Sequence, residues 1–152
     1  MADLNLSRAL GFTLVELVMV LILIGVISAL GVGLFAGRSA FSPLLATQQL
    51  ASSVLLAQQA GLAGNGASEL SVTQSTNDFL FTIRNSGSVA QEFRIAREGT
   101  SLSVSGASFP ISFNADGIPD TGGNAQLTFT GDSIYSVCLS SLGAVYAGSC
   151  QP

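Results

Sequence analysis

The sequence contains no histidine, no lysine and no tryptophan, and acidic and basic residues together make up only 9% of it. Without histidine, a serine or cysteine nucleophile lacks its usual general base, and zinc lacks a frequent ligand. Two cysteines without a CxxC motif do not supply a zinc site by themselves. We therefore expect no enzyme, no metal site and no cofactor.

Basic residues are also scarce, since the chain has five arginines and a net charge of −4. A nucleic-acid interface needs several basic side chains grouped on one surface. Only Arg84, Arg94 and Arg97 could form such a group, and acidic residues surround them. Nucleic-acid binding is not expected.

The apolar residues are concentrated in one run. Residues 17–36 form twenty consecutive positions without a charge in a chain of 152 residues, which is the size of one ordinary domain. As a helix this run is about 30 Å long, enough to cross a bilayer, and it is longer than the apolar part of a cleaved secretory signal. Arg8 precedes the run and Arg38 follows it, so charge alone leaves its orientation open.

The segment before this run reads GFTLVEL at residues 11–17. It resembles the type IV prepilin family, in which a short polar leader ending in glycine precedes Phe-Thr-Leu-x-Glu and a long apolar helix. The resemblance implies that a prepilin peptidase cleaves between Gly11 and Phe12, and that the new N-terminal amine is methylated.

Glu16 is an acidic residue among apolar neighbours, where a carboxylate is costly to bury in a membrane. The family resemblance implies that it pairs with the Phe12 amine of an adjacent subunit, because both charges lose water only when both are present. The alternative interpretation is an interfacial glutamate that faces lipid headgroups.

Small residues recur every fourth position on one side of the apolar helix, at Gly25, Ala29, Gly33 and Gly37. Such a stripe allows helices to approach closely in lipid. Glycine is also common in membrane helices generally, so the spacing has two interpretations, of which helix packing is our prediction.

After Arg38 we expect a second, amphipathic half of the helix over residues 38–64, resuming at about Ser42 with Pro43 in its first turn. A glycine-rich segment ends it. The apolar stripe predicted to face the rest of the domain consists of Leu44, Ala51, Leu55 and Leu62.

Residues 65–152 contain short runs of alternating apolar residues separated by turn residues, which predict seven or eight antiparallel strands. The predicted fold class is α+β: a long N-terminal transmembrane helix packed on a small antiparallel β-sheet head, as the pilin resemblance also implies. The predicted segments are a leader (1–11), an assembly helix (12–37), the amphipathic half-helix (38–64) and a β-rich periplasmic head (65–152). Sets that mark strands include Phe79, Phe81 and Ile83, then Val89, Phe93 and Ile95, then Leu102 and Val104, then Phe109, Ile111 and Phe113, then Leu127 and Phe129, and then Tyr135, Val137 and Leu139.

Cys138 and Cys150 lie near the C-terminus. If the head is exported, a disulfide between them is expected, because oxidising compartments favour it. Such a bond would close a C-terminal loop in the head.

Two parts of the head resemble minor subunits. Residues 111–119, together with 127–130, are similar to H-type minor pseudopilins and fimbrial-T-like minor pilins, and residues 137–150 are similar to C-type minor pilins of the mannose-sensitive haemagglutinin (MSHA) pilus. The resemblance implies a single-pass inner-membrane protein with a periplasmic head, which enters a pilus or pseudopilus fibre on assembly. The partners that it implies are other pilin or pseudopilin subunits, the prepilin peptidase and the inner-membrane assembly platform.

Two further patterns could indicate catalysis or metal binding. The GDSI sequence at residues 131–134 is similar to an esterase nucleophile box, but without histidine we expect a hairpin turn. Calcium could take oxygen ligands from Asp116, Asp120 and Asp132, whereas Asp116 followed by Gly117 is also typical of a turn, which we favour.

Three functions follow from these patterns. The first is a minor pilin of an MSHA-like pilus, with a minor pseudopilin of a type II secretion system as the alternative. The second is a tip subunit whose head acts as an adhesin or takes up DNA. The third is an anchored receptor domain unrelated to pili, which would keep its N-terminus uncleaved.

Overall fold

The computed structural model describes residues 12–35, 38–64 and 68–151. The leader, Gly11 and Gly37 therefore lie outside the described residues. The chain forms two compact units, Met1–Gly37 and Arg38–Pro152, and each is described by itself.

The first unit contains helix α1, Leu14–Phe35. None of its residues 14–31 is buried within the chain, and their length and composition are sufficient to cross a membrane. The one hydroxyl in that stretch, Ser28, donates to the carbonyl oxygen of Ile24 at 2.7 Å, so it needs no water inside a bilayer. Over these residues α1 has no buried face, and apart from Glu16 it offers an apolar surface to lipid or to other helices.

The second unit begins with helix α2, Arg38–Leu62, which starts four residues earlier than the predicted Ser42. Pro43 therefore lies inside the helix and has no N–H to donate to the carbonyl of Ser39. The helix nevertheless includes this turn because a distant hairpin bonds it: Ser39 donates to Asp132, and Ser133 donates to the carbonyl of Ala40.

The predicted apolar stripe of α2 was wrong. Leu55 and Leu62 are 52% and 59% exposed, whereas the buried positions carry mostly small side chains. Bulky residues from the sheets fill most of the space beneath the helix, so apart from Leu50 and Val54 the buried positions of the helix carry short side chains. The buried apolar residues of α2 are Ala46, Leu50, Val54 and Ala57.

Among the described residues, eight strands follow α2 and form two antiparallel sheets. Sheet 1 has the order β3-β2-β1-β5 and sheet 2 has the order β4-β6-β7-β8. The strands are β1 Ser68–Gln74, β2 Asp78–Asn85, β3 Ser88–Ala96, β4 Ser101–Ser105, β5 Ile111–Phe113, β6 Ala125–Thr130, β7 Ile134–Leu139 and β8 Val145–Ala147.

The core lies where α2 meets both sheets. Phe79 of β2 and Phe129 of β6 meet edge to face with ring centroids 5.4 Å apart, which joins the inner faces of sheets 1 and 2. Leu50 and Val54 of α2 are buried in the same cluster. The α+β architecture, with a helix packed on antiparallel sheets, is confirmed.

Strand β3 follows β2 through a tight turn, pairs with it and forms the outer strand of sheet 1. Ser86 and Gly87 form the turn between β2 and β3, and both have positive φ, at 50° and 82°. The register between these strands shifts between Ile83 and Arg84, which marks a β-bulge. Because β3 comes first in the order of sheet 1, one of its edges faces no other strand of the described residues.

Candidate assembly site

The N-terminus of α1 is held by its own capping contact. The N–H of Glu16 donates to Oγ1 of Thr13 at 3.3 Å, and the N–H of Leu17 donates to the carbonyl of Thr13 at 3.2 Å. A threonine three residues before a glutamate is the spacing of a capping box, in which the hydroxyl satisfies a free N–H of the first turn. This role of Thr13 was not predicted, although the three-residue spacing from Thr13 to Glu16 is visible in the sequence.

The cap sets the position of the predicted assembly residues. Phe12 is 81% exposed and precedes the cap, and Glu16 is exposed in the first turn of α1. No ion pair involving Glu16 occurs among the residues that the structure describes, where the one salt bridge joins Arg94 to Asp78. A carboxylate in the first turn also lies at the positive end of the helix dipole, which stabilises it. Pairing of Glu16 with a positive charge on another molecule stays a prediction.

Three of the four residues of the predicted packing stripe lie in the described part of α1. A Cβ atom added at Gly25 would meet no atom within 4 Å, so the helix surface there is free of contacts from the described chain. Ala29 lies one turn later in α1, and Gly33 falls near the end of that helix. Gly37 lies outside the described residues. Helix packing through these positions stays a prediction.

The start of α2 is fixed to the head by a buried polar cluster. The hydroxyl of Ser42 lies 3.0 Å from the carbonyl oxygen of Ala96 and 2.8 Å from that of Arg97, and it accepts from Oγ1 of Thr100 at 3.1 Å. Ser42 and Thr100 are both buried. Because buried hydroxyls are costly without partners, these bonds fix which turn of α2 meets the segment between β3 and β4.

The hairpin between β6 and β7 hydrogen-bonds to the same end of α2. Its turn closes through the Gly131 N–H, which donates to the carbonyl of Ser133 at 2.9 Å. The hydroxyl of Ser133 then donates to the carbonyl of Ala40 at 2.9 Å. The prediction of a hairpin turn at residues 131–134 is confirmed. Ser133 of this turn hydrogen-bonds to the first turn of α2.

At the opposite end of the head, the C-terminal segment is attached by a disulfide. Cys138 of β7 is buried and is bonded to Cys150, with Cα atoms 5.0 Å apart. The side-chain amide of Gln126 accepts from the N–H of Cys150 at 2.7 Å and donates to the carbonyl of Gly148 at 3.1 Å. The expected disulfide is confirmed, and Gln126 is a second attachment that sequence analysis missed.

Comparison with solved structures identifies this architecture. The type IV minor pilin FimU from Pseudomonas aeruginosa matches with a TM-score of 0.57 at 13% identity, over 76% of this chain and 92% of FimU. A second crystal form of FimU gives 0.55 at 13% identity, over 70% and 92%. The minor pseudopilin EpsH from the type 2 secretion system of Vibrio cholerae gives 0.53 at 12% identity, over 71% of this chain and 97% of EpsH. The chain has the pilin fold. No protein-family model and no curated protein matches it.

Within the pilin fold, two arginines considered for nucleic-acid binding make contacts inside the head. Arg94 pairs with Asp78 at 3.4 Å. The guanidinium of Arg97 donates to the carbonyls of Thr100 and Ser75, at 2.6 Å each, and lies 5.7 Å from the ring centre of Phe79. Arg97 therefore holds loops of the fold together, in addition to carrying charge.

The turn after β5 is organised by an asparagine. Oδ1 of Asn114 accepts from the N–H groups of Asp116 and Ile118, at 2.9 Å each, and Gly117 has a φ of 73°. The interpretation of Asp116 and Gly117 as turn residues is confirmed. No group of three or more histidine, cysteine or acidic side chains that could hold a metal lies within the described residues.

Proposed function

We propose that this chain is a minor subunit of a type IV pilus of the MSHA type, cleaved between Gly11 and Phe12 and assembled through its N-terminal helix. The proposal rests on the order of the structural segments along the chain. A pilin-fold head follows an exposed apolar helix, and that helix is capped by Thr13, begins at Leu14 and carries Glu16 in its first turn.

Glu16 provides the assembly contact in this proposal. Cleavage after Gly11 exposes a new amine at Phe12, and the amine of one subunit meets the Glu16 carboxylate of the next. An ionised carboxylate is costly in lipid, and a matched positive charge offsets that cost only in the correctly registered neighbour. The pair therefore sets the axial register, while the exposed apolar surface of α1 contributes most of the contact area.

The protein follows the path of a pilin in two stages. Before assembly, α1 anchors it in the inner membrane with the head on the periplasmic side. The leader, which precedes α1, then lies on the cytoplasmic side, where the prepilin peptidase removes it. The assembly platform then transfers α1 from lipid into the fibre beside other pilin subunits. Gly25 and Ala29 leave room for a neighbouring helix to approach closely.

A minor pseudopilin of a type II secretion system is the second candidate, because EpsH matches nearly as well as FimU. Deletion of the gene in its host separates the two. Loss of surface pili with normal secretion supports the pilus, whereas loss of type II secretion with normal pili supports the pseudopilus.

The assembly proposal is tested with Glu16→Gln, which removes the charge and keeps the shape. We expect a normal cleaved N-terminus and at least about tenfold less subunit in sheared fibres, since an uncharged amide cannot compensate the amine. Glu69→Gln in β1 of the head is the matched control and should assemble normally. Equal incorporation of Glu16→Gln and the control contradicts the proposed pairing.

A further inference from the structure

One flank of α2 is left without cover beside the open edge of sheet 1. Phe41 and Leu45 are 63% and 51% exposed, although both lie on a helix whose other side packs into the core. They line a recess of about 370 Å³, whose other wall is the end of β3 around Ile95. Two large apolar side chains exposed together at the edge of a recess mark a surface that another molecule covers.

The opposite wall of the recess belongs to an unpaired strand. β3 is nine residues long and is the outermost strand of sheet 1, so the N–H and C=O groups along its outer edge face no other strand of the described residues. A backbone edge of this kind is satisfied best by another extended segment.

A second recess lies further along the same α2–β3 boundary, lined by Leu56 of α2 and Ala90 of β3 among others, with a volume of about 110 Å³. From Leu45 to Leu56 the helix rises by about 17 Å, and from Ile95 back to Ala90 the strand covers about 17 Å. The helix and the strand therefore run alongside each other between the two recesses, over the length of a short strand.

We propose that an extended segment of another protein adds to the outer edge of β3 and covers Phe41 and Leu45. Along β3, Phe93 and Ile95 pack towards the core, while Glu92 and Arg94 are exposed on the other face. The added strand must follow the same alternation. Its residues facing α2 are apolar, and those on the opposite face are polar.

Charge specifies the partner further. Arg94 already has a partner in Asp78, whereas no ion pair of Glu92 or Glu98 occurs in the part of the chain that the structure describes. On the exposed face of β3, which carries Glu92 and Arg94, the unpaired charge is therefore negative. The segment that fits carries a basic residue on its polar face, opposite Glu92.

A second copy of this chain fits the edge poorly. Antiparallel pairing of β3 with its own copy in full register sets Glu92, the middle residue of the strand, opposite Glu92 of the other copy, and like charges that face each other are destabilising. Parallel pairing about a two-fold axis along the strands turns the faces over, and it places Glu92 and Arg94 of one copy against Phe41 and Leu45 of the other. A separate protein is therefore the proposed occupant.

The test uses the full chain in lipid nanodiscs and a dye-labelled peptide of about ten residues, in which valine alternates with threonine around one central arginine. We expect saturable binding by fluorescence anisotropy, together with slower hydrogen exchange across residues 88–96. A peptide of the same composition with its valines contiguous should not bind. Replacing the arginine by glutamate should weaken binding.

Leu45→Glu introduces a charge into the recess and should weaken binding by about tenfold or more. Leu55→Glu is the matched control, because Leu55 is 52% exposed on the same helix and lines neither recess. Binding of its variant should stay within about twofold of the original.

Four results overturn the inference: no binding of the alternating peptide, equal losses in the two variants, binding without protection of residues 88–96, or a preference for the glutamate peptide. A dimer of the unliganded protein that Leu45→Glu dissociates also overturns it, because the occupant is then a second copy. Leader cleavage and fibre incorporation are not read in this assay, so its failure is distinct from failure of the proposed function.

Discussion

At the scale of single residues, the hydroxyl of Ser42 joins α2 to a segment far away in the sequence. Its partners Ala96, Arg97 and Thr100 are 54, 55 and 58 residues further along the chain. The group is buried, so water cannot replace a lost partner. One small side chain therefore determines how the start of the helix meets the loop between β3 and β4.

Ser42→Ala should lower the free energy of unfolding of the head by about 1–3 kcal/mol, because it leaves the hydroxyl of Thr100 without its acceptor and removes the one hydroxyl hydrogen that the carbonyls of Ala96 and Arg97 share. Thermal unfolding followed by near-ultraviolet circular dichroism measures the change. Ser52→Ala is the control on the same helix, since its exposed hydroxyl bonds only the carbonyl of Gln48. Equal effects of the two substitutions would show that the Ser42 cluster contributes little.

At the scale of secondary-structure elements, the close approach of α2 to the turn after β5 depends on Gly61. A Cβ atom at this position would lie 2.7 Å from the carbonyl oxygen of Asn114, which is backbone and cannot move aside cheaply. An alanine usually stabilises a helix by about 1 kcal/mol over glycine, but here it pushes two elements apart.

We expect Gly61→Ala to destabilise the head, by about 1–3 kcal/mol, in spite of its gain in helix propensity. Urea unfolding measures the free energy. Gly123→Ala provides the comparison, because an added Cβ there meets no atom within 4 Å, and it should be nearly neutral. A stabilised Gly61→Ala would mean that the helix and the turn are further apart than described.

The C-terminal segment has two attachments, and they predict a partial effect when the disulfide is removed. The double variant Cys138→Ala with Cys150→Ser should lose about 2–3 kcal/mol of stability, as expected for a loop of this length. Because Gln126 still bonds Cys150 and Gly148 through the backbone, β8 should exchange amide hydrogens faster without unfolding the core. Global loss of protection in the core strands would contradict this separation.

The elements show which parts of the fold the sequence could predict. Strand β2 was predicted because Phe79, Phe81 and Ile83 alternate with polar or smaller neighbours. Strand β1 was missed because only Leu70 and Val72 are apolar among polar residues, and β8 was missed because its three residues do not alternate between apolar and polar. These strands form because their neighbours pair with them, which is not visible in local patterns.

The buried face of α2 was mispredicted for a related reason. Size and hydrophobicity favoured Leu55 and Leu62, but Leu50 is the leucine that enters the core, where the phenylalanines of the sheets leave room mostly for smaller side chains of α2. At the candidate site, Glu16 was predicted from the motif, whereas the roles of Ser42 and Gln126 depend on partners distant in sequence. Such contacts follow from the completed fold.

At the scale of the whole molecule, the proposed function assigns a different role to each of the two units. The first unit supplies an apolar helix with a capped start and one carboxylate, and the second supplies a pilin-fold head with an open sheet edge. The first unit enters the fibre in this account, and the second remains available to a partner. The role of the first unit requires that the leader is removed, because the amine that meets Glu16 exists only after cleavage.

The intact mass of the protein recovered from sheared fibres tests this account most directly. We predict a chain that begins at Phe12, lacks residues 1–11, carries one added methyl group and retains the disulfide between Cys138 and Cys150. A protein that is absent from the fibres, and whose membrane-extracted form retains Met1, would contradict it.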